Sequence, residues 1–208
     1  MPLKNDDALI DSIIKRYPRS RSAIMPLLHL AQARDGYVTP ESIEVIAAKL
    51  SLETAEVSAV ATFYTQYKRK PVGEYHVGVC TNTLCAVMGG DAIYESILEH
   101  LGIDNDEVTE DGKVSVEHIE CNAACDYAPV VMVNWEFYDN QTVASTKELV
   151  DACRAGNPPA PTRGPNKLPT WKENSEVLAG INDGRANEGV QAGEPTLLGL
   201  KIAKEGGN

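Results

Sequence analysis

Apolar residues recur at helical spacing through the first third of the chain. Leu9, Ile10, Ile13, Ile14 and Tyr17 fall on one face, and Pro18 stops the run. Ile24, Leu27, Leu28 and Ala31 predict a second helix from about Ser22 to Arg34, closed by Gly36. Thr39-Pro40 offers a capping hydroxyl and then proline at the first helical position, with Ile43, Ile46, Ala47 and Leu50 inward behind it. Ser51 reads as the cap of a fourth helix carrying Val57, Val60, Ala61 and Tyr64. Four short helices with brief connections predict a small bundle over residues 1–71. The basic run Lys68-Arg69-Lys70 before Pro71 reads as a solvated linker at its edge.

From residue 72 the period changes to two. Tyr75-His76-Val77-Gly78-Val79 alternates as a strand and runs into Cys80. Gly89-Gly90-Asp91 opens a helix with Ile93, Ile97, Leu98 and Leu101 inward, ended by Gly102. Val114, Val116 and Ile119 predict a second strand leading to Cys121, and residues 130–133 a third, wholly apolar one. Residues 137–143 read as a hairpin turning at Asp139-Asn140. Ser145 and Glu148 form a capping-box pattern for a last helix carrying Leu149, Val150 and Cys153 to Gly156. The order strand, helix, three strands, helix over residues 72–155 is that of a small α/β sandwich like thioredoxin. Residues 156–208 hold 6 of the 12 prolines, 9 of the 16 glycines and one aromatic, Trp171. They predict an extended tail without its own core. In it only Glu173 to Ala179 suggest a helical turn, and Trp171, Val177, Leu178, Leu197 and Leu200 read as anchors for another surface.

Composition narrows the function. The chain has 208 residues, and 19 basic against 30 acidic side chains give a net charge of −11. That argues against nucleic acid or an anionic membrane surface as partner. The excess is local: residues 72–155 carry 3 basic and 16 acidic residues, net −13, against +2 for residues 1–71 and zero for the rest. No apolar run approaches the roughly 18 residues of a membrane span, and no secretory leader is evident, so a cytoplasmic location is expected.

All five cysteines lie in the acidic segment. Cys80 and Cys85 form a C-x4-C pair and Cys121 and Cys125 a C-x3-C pair, each starting where a predicted strand ends. Four thiolates brought together from two adjacent loops suit a [2Fe–2S] cluster, in which each iron takes two cysteine sulfurs. Small residues (Ala86, Gly89, Gly90, Ala123, Ala124) leave room for backbone to approach it. A structural zinc site, a thiol-redox centre and simple buried thiols remain alternatives, although zinc prefers two-residue spacers and thiol oxidoreductases use C-x-x-C. Cys153 stands alone and reads as a core residue. His29, His76, His100 and His118 are scattered and read as structural or exposed, with His76 and His118 on the strands that feed the cysteines. No Gly-rich dinucleotide or phosphate loop is present, so no NAD, flavin or ATP site is expected.

The segments Ala61-Thr62-Phe63-Tyr64, Pro71-Val72-Gly73, residues 79–85, residues 120–125 and Ala128-Pro129 together resemble one family. It is the 24-kDa-type, thioredoxin-like [2Fe–2S] ferredoxin family, the E subunits of bacterial NADH–quinone oxidoreductase (respiratory complex I). Related chains occur in NAD-linked formate dehydrogenases and hydrogenases. The resemblance covers about residues 6–155. It implies an α+β chain: an N-terminal four-helix segment, a thioredoxin-like [2Fe–2S] domain, and an irregular C-terminal tail. It also implies one [2Fe–2S] cluster on Cys80, Cys85, Cys121 and Cys125, exchanging single electrons with the flavin of a partner NADH-binding (F-type) subunit. The chain would then sit in a peripheral arm on the cytoplasmic face of the membrane, reaching it only through partner subunits. It would not oxidise NADH alone. A zinc-stabilised interaction module is the alternative that keeps the cysteines but not the redox role.

Overall fold

A computed structural model describes residues 3–206. The chain divides into two compact units. One comprises residues up to Glu74 with Pro169–Asp183; the other comprises Tyr75–Leu168 with the residues from Gly184 onward.

The first unit is helical. It holds α1 (Asp7–Ile14), α2 (Ile24–Asp35), α3 (Pro40–Leu50), α4 (Thr54–Phe63) and α8 (Trp171–Leu178). The apolar stripes converge on a core that includes Ile10, Ile13, Leu27, Leu28, Ile46, Leu50 and Val57. Gly36 ends α2 in the left-handed conformation, and the Thr39 hydroxyl accepts from the Ser42 amide to start α3, as the residue pattern predicts. Ser51 does not cap α4. It sits at φ 56° and terminates α3, while Glu53 and Glu56 form the reciprocal cap of α4.

The second unit is a four-stranded sheet in the order β2-β1-β3-β4, formed by β1 (Tyr75–Cys80), β2 (Val114–Ile119), β3 (Val131–Val133) and β4 (Glu136–Tyr138). β1 and β2 are parallel; β1–β3 and β3–β4 are antiparallel. Alternation sends Val77, Val79, Val114, Val116, Val131 and Val133 into one core with residues of α6 (Gly90–Leu101) and α7 (Val143–Arg154), including Ile93, Ile97, Leu149, Val150 and Cys153. The opposite set, Cys80, Ile119, Val130 and Met132, packs with Cys85, Ala124 and Ala128. At Gly78 a Cβ would stand 2.6 Å from the Ile119 side chain, so β1 and β2 need a glycine at that point to keep this register.

Three local expectations are corrected. The hairpin turns at Asn134 and Trp135 (φ 50° and 69°), not at Asp139-Asn140, because β3 pairs with β4 as soon as the chain reverses. The last helix starts three residues early, capped by Thr142 with Ser145 as its reciprocal partner. The tail holds α8 where a helical turn over Glu173 to Ala179 is expected, and also α9 (Glu194–Lys204), which the residue pattern does not predict. Its first part makes specific contacts within the chain. Tyr138 Oη donates to Pro159 O at 2.7 Å, and Thr162 N donates to Phe137 O at 2.8 Å. Arg163 chelates both oxygens of the buried Asp139 carboxylate at 2.8 Å while its guanidinium lies over the Phe137 and Tyr127 rings. Trp171 is buried, its indole N–H donating to Gly36 O at 2.7 Å. Tertiary contacts far apart in sequence order a segment that composition alone leaves without a core.

Candidate metal centre

β1 and β2 run side by side and end together, Cys80 opposite Ile119. This parallel pairing brings the two cysteine loops to one end of the sheet. After Cys80 the chain enters α5 (Thr83–Val87), a short helix that carries Cys85. After Ile119 the loop bearing Cys121 turns through Ala123 (φ 54°) into a 3-10 turn, Cys125–Tyr127. The Ala128–Pro129 bond that follows is cis.

Cys80 and Cys85 are buried, whereas Cys121 and Cys125 are exposed. The thiols fall into two couples: Cys80 lies close enough to raise the Cys85 thiol, and Cys121 to raise that of Cys125. The couples also feel each other, since Cys125 adds to the potential at Cys85 and Cys80 to that at Cys125. Burial is the largest cause that pushes the Cys85 thiol up to about 11; a backbone hydrogen bond from Val130 opposes the rise, and the neighbouring sulfurs add to it. The Cys125 thiol, though exposed, is raised first by the partial loss of water around it and then by its sulfur neighbours, with Asp126 contributing. Sulfurs gathered this closely hold their protons unless a cation takes their place.

The surroundings fit a sulfur-ligated metal group. Backbone and side-chain N–H groups point at three sulfurs: Val130 N–H at Cys85, Ala123 N–H at Cys121 (3.4 Å) and Asn82 Nδ2 at Cys80 (3.9 Å). Asn82 Nδ2 also donates to Ile119 O at 3.0 Å, which ties the first loop to the end of β2. Gly90, the first residue of α6, lies against both segments of the C-x4-C pair. A Cβ there would stand 2.5 Å from Cys80 O and 2.9 Å from Cys85 O. Among the described residues no three His, Cys, Asp or Glu side chains converge on a single ion position. Four thiols in two sequence pairs, at and following the ends of two adjacent parallel strands, suit a two-iron group, in which each iron takes two cysteine sulfurs.

The four cysteines picked out by spacing lie on the two segments that begin at the paired ends of β1 and β2. Cys153 is not among them: it is buried in α7 within the core on the other side of the sheet, its thiol pushed up to about 12 by burial. His76 is engaged along the strands, with Ser115 Oγ at 2.8 Å, Glu117 at 3.0 Å and the Trp135 ring edge-on. His118 packs edge-on with Tyr94, and His100 meets Asp151 at 2.8 Å. Asn82 and Val130 are the site residues that sequence reasoning missed. For Asn82 the available signal was an Asx residue between a strand end and a cysteine-bearing turn.

Known proteins share this chain's sequence pattern and fold. The family model described as thioredoxin-like [2Fe-2S] ferredoxin matches residues 10–154. The chain is 60% identical over 194 residues to the E subunit of the NADH-quinone oxidoreductase of Mycobacterium tuberculosis, covering 93% of this chain and 77% of that one. It is 43% identical over 154 residues to the E subunit of the Rickettsia bellii enzyme, covering 73% of this chain and 92% of that one. Among solved structures it shares the fold of part of an NAD+-reducing [NiFe]-hydrogenase in the air-oxidized state, with TM-score 0.57 and 20% identity over 65% of this chain and 23% of that chain. Among the described residues no helix is long and apolar enough to cross a membrane.

Proposed function

The chain belongs to the thioredoxin-like [2Fe–2S] ferredoxin family, and from that premise we propose that Cys80, Cys85, Cys121 and Cys125 are the ligands of its one [2Fe–2S] cluster. The observation that carries the assignment is the pair of cysteine couples at the ends of adjacent parallel strands. The protein serves as an electron-transfer subunit of NADH–quinone oxidoreductase; its 60% identity to the mycobacterial relative favours that complex over a soluble hydrogenase or formate dehydrogenase.

When bound, such a cluster takes up and gives back one electron at a time. The chain's own residues set the terms. The thiolates supply four negative charges, which favour the oxidised state. The N–H groups of Val130, Ala123 and Asn82 offset part of that charge at three of the four sulfurs. NADH delivers a hydride, two electrons together, so the electron donor is a flavoprotein subunit that splits the pair and docks where the exposed couple can be approached. Its approach surface is basic, matching the net −13 of residues 72–155. The assembly presents this subunit on the cytoplasmic face of the membrane.

The test is iron and sulfide content with the EPR spectrum of the dithionite-reduced chain. Replacing Cys80, Cys85, Cys121 or Cys125 by Ala abolishes the signal, and Cys153→Ala keeps it. A normal signal in Cys121→Ala, or one mole of zinc in place of iron and sulfide, overturns the assignment.

A further inference from the structure

The family model ends at residue 154, and the Rickettsia relative aligns with 73% of this chain, whereas the mycobacterial one aligns with 93%. The C-terminal segment is thus an addition that part of the family carries. It returns to the cysteine-bearing turn Cys125–Tyr127. Thr196 Oγ1 donates to Asp126, and the chain at Gly193 passes so close to Tyr127 that a Cβ would collide with the phenol oxygen. From this tether α9 runs for 11 residues, about 16 Å at 1.5 Å per residue. None of its residues is buried. Leu197, Leu198, Leu200 and Ile202 are 49–57% exposed. A helix this short is marginal in water unless its apolar side chains pack on something, and among the described residues those of α9 are left about half exposed.

We propose that α9 is a docking helix for the subunit that exchanges electrons with the cluster, laying Leu197, Leu198, Leu200 and Ile202 into an apolar groove beside that subunit's approach to Cys121 and Cys125. The proposal rests on the electron-transfer reading above. The tether selects the occupant: a protein that reaches the exposed cysteine couple comes within the span of α9, and an apolar helix in a groove extends the contact beyond the acidic zone. A second copy of this chain seated there would set acidic segment against acidic segment, at net −13 each. An anionic membrane would gain the two lysines, Lys201 and Lys204, against a chain of net −11.

The experiment compares the cluster-loaded full chain with Leu197→Asp/Leu200→Asp and with a chain stopped after Gly193, measuring the dissociation constant for the NADH-binding flavoprotein subunit. The visible and EPR spectra of each variant stay those of the full chain, because the helix touches no proposed ligand. Both variants bind the flavoprotein at least tenfold more weakly. If the full chain binds but the variants lose less than threefold, the α9 proposal falls and the electron-transfer reading stands. If the full chain itself does not bind, the partner reading falls and takes the proposal with it. Self-association of the full chain, or its binding to vesicles containing phosphatidylglycerol, abolished by Leu197→Asp/Leu200→Asp with flavoprotein binding unchanged, also overturns it.

Discussion

Gly90→Ala puts one methyl group where the structure leaves no space. The new Cβ would lie 2.5 Å from Cys80 O and 2.9 Å from Cys85 O. Both neighbours are backbone, so no flexible side chain can swing aside. The first carbonyl belongs to the end of β1 and the second to α5; relief moves the C-x4-C segment by several tenths of an ångström or shifts the first turn of α6. Overpacking of this kind costs about 1–3 kcal/mol, against which the better helix propensity of alanine returns up to about 1 kcal/mol. The net loss falls on the segment that places two of the four proposed ligands. The expected outcome is a melting midpoint lower by a few degrees, at about 2–4 °C per kcal/mol for a chain of this size, together with faster loss of the visible cluster bands on incubation with a chelator. Gly199→Ala is the matched control, since a Cβ there meets nothing within 4 Å. Wild-type melting and wild-type chelator resistance in Gly90→Ala would refute the close-packing argument.

Asn82→Ala removes both the amide pointing at Cys80 and the tie to Ile119 O; iron retention weakens by about 10–100-fold, the usual range for residues that orient ligands, and redox titration gives a lower potential than wild type. Arg163→Met leaves the Asp139 carboxylate buried without its bidentate partner; the cost is about 3–5 kcal/mol, read as a lower melting midpoint and faster protease cleavage between residues 157 and 167. His29 is buried in the helical unit, and burial lowers its pKa from 6.5 to about 4. The neutral imidazole therefore contributes stability in full above pH 6.5 that is lost as pH falls through about 4, amounting to about 3 kcal/mol at 1.36 kcal/mol per pKa unit. In His29→Leu, denaturant midpoints followed from pH 7 to pH 4 decline less than in wild type; parallel decline in both would show that His29 is not the group responsible.

The elements that were legible in the sequence are those specified by local periodicity. Ile10 and Ile13, or Val77 and Val79, announce their element through neighbours a few residues away, and the structure uses them as read. The misread boundaries are places where short-range signals compete. Ser51 has the side chain of a cap but the backbone of a helix end, and Ser145 is a capping partner three residues inside its helix. Asn134-Trp135 makes the hairpin although Trp rarely occupies positive φ; sheet pairing on both sides decides it. The order of the tail is legible nowhere locally, because Arg163 finds Asp139, Phe137 and Tyr127, and Trp171 finds Gly36, only after the chain has folded. Cysteine spacing identified the candidate ligands for a similar reason in reverse: the chemistry needs particular side chains at strand ends, whereas Asn82 and Val130 serve through contacts that only the assembled sheet creates.

The two cysteine couples differ in their exposure, and this gives the site a direction. Cys80 and Cys85 are sealed by Ile119, Ala128, Val130 and Met132, on the sheet side, while Cys121 and Cys125 meet solvent. Sulfurs in the buried couple gain most from each N–H donor, since low local dielectric strengthens the bond; the exposed couple is screened by water and loses that screening when a partner covers it. Desolvating Cys121 and Cys125 beside Asp126 strengthens the repulsion an added electron meets, unless the covering surface is itself basic. A basic partner surface and an apolar anchor set back from it then have distinct tasks. In the proposed complex the first would compensate the charge at the exposed couple and weaken as salt is raised; the second, supplied by α9, would hold the partner through contacts that salt does not screen. Association that falls steeply with salt in the chain stopped after Gly193, and less steeply in the full chain, is the signature of that division.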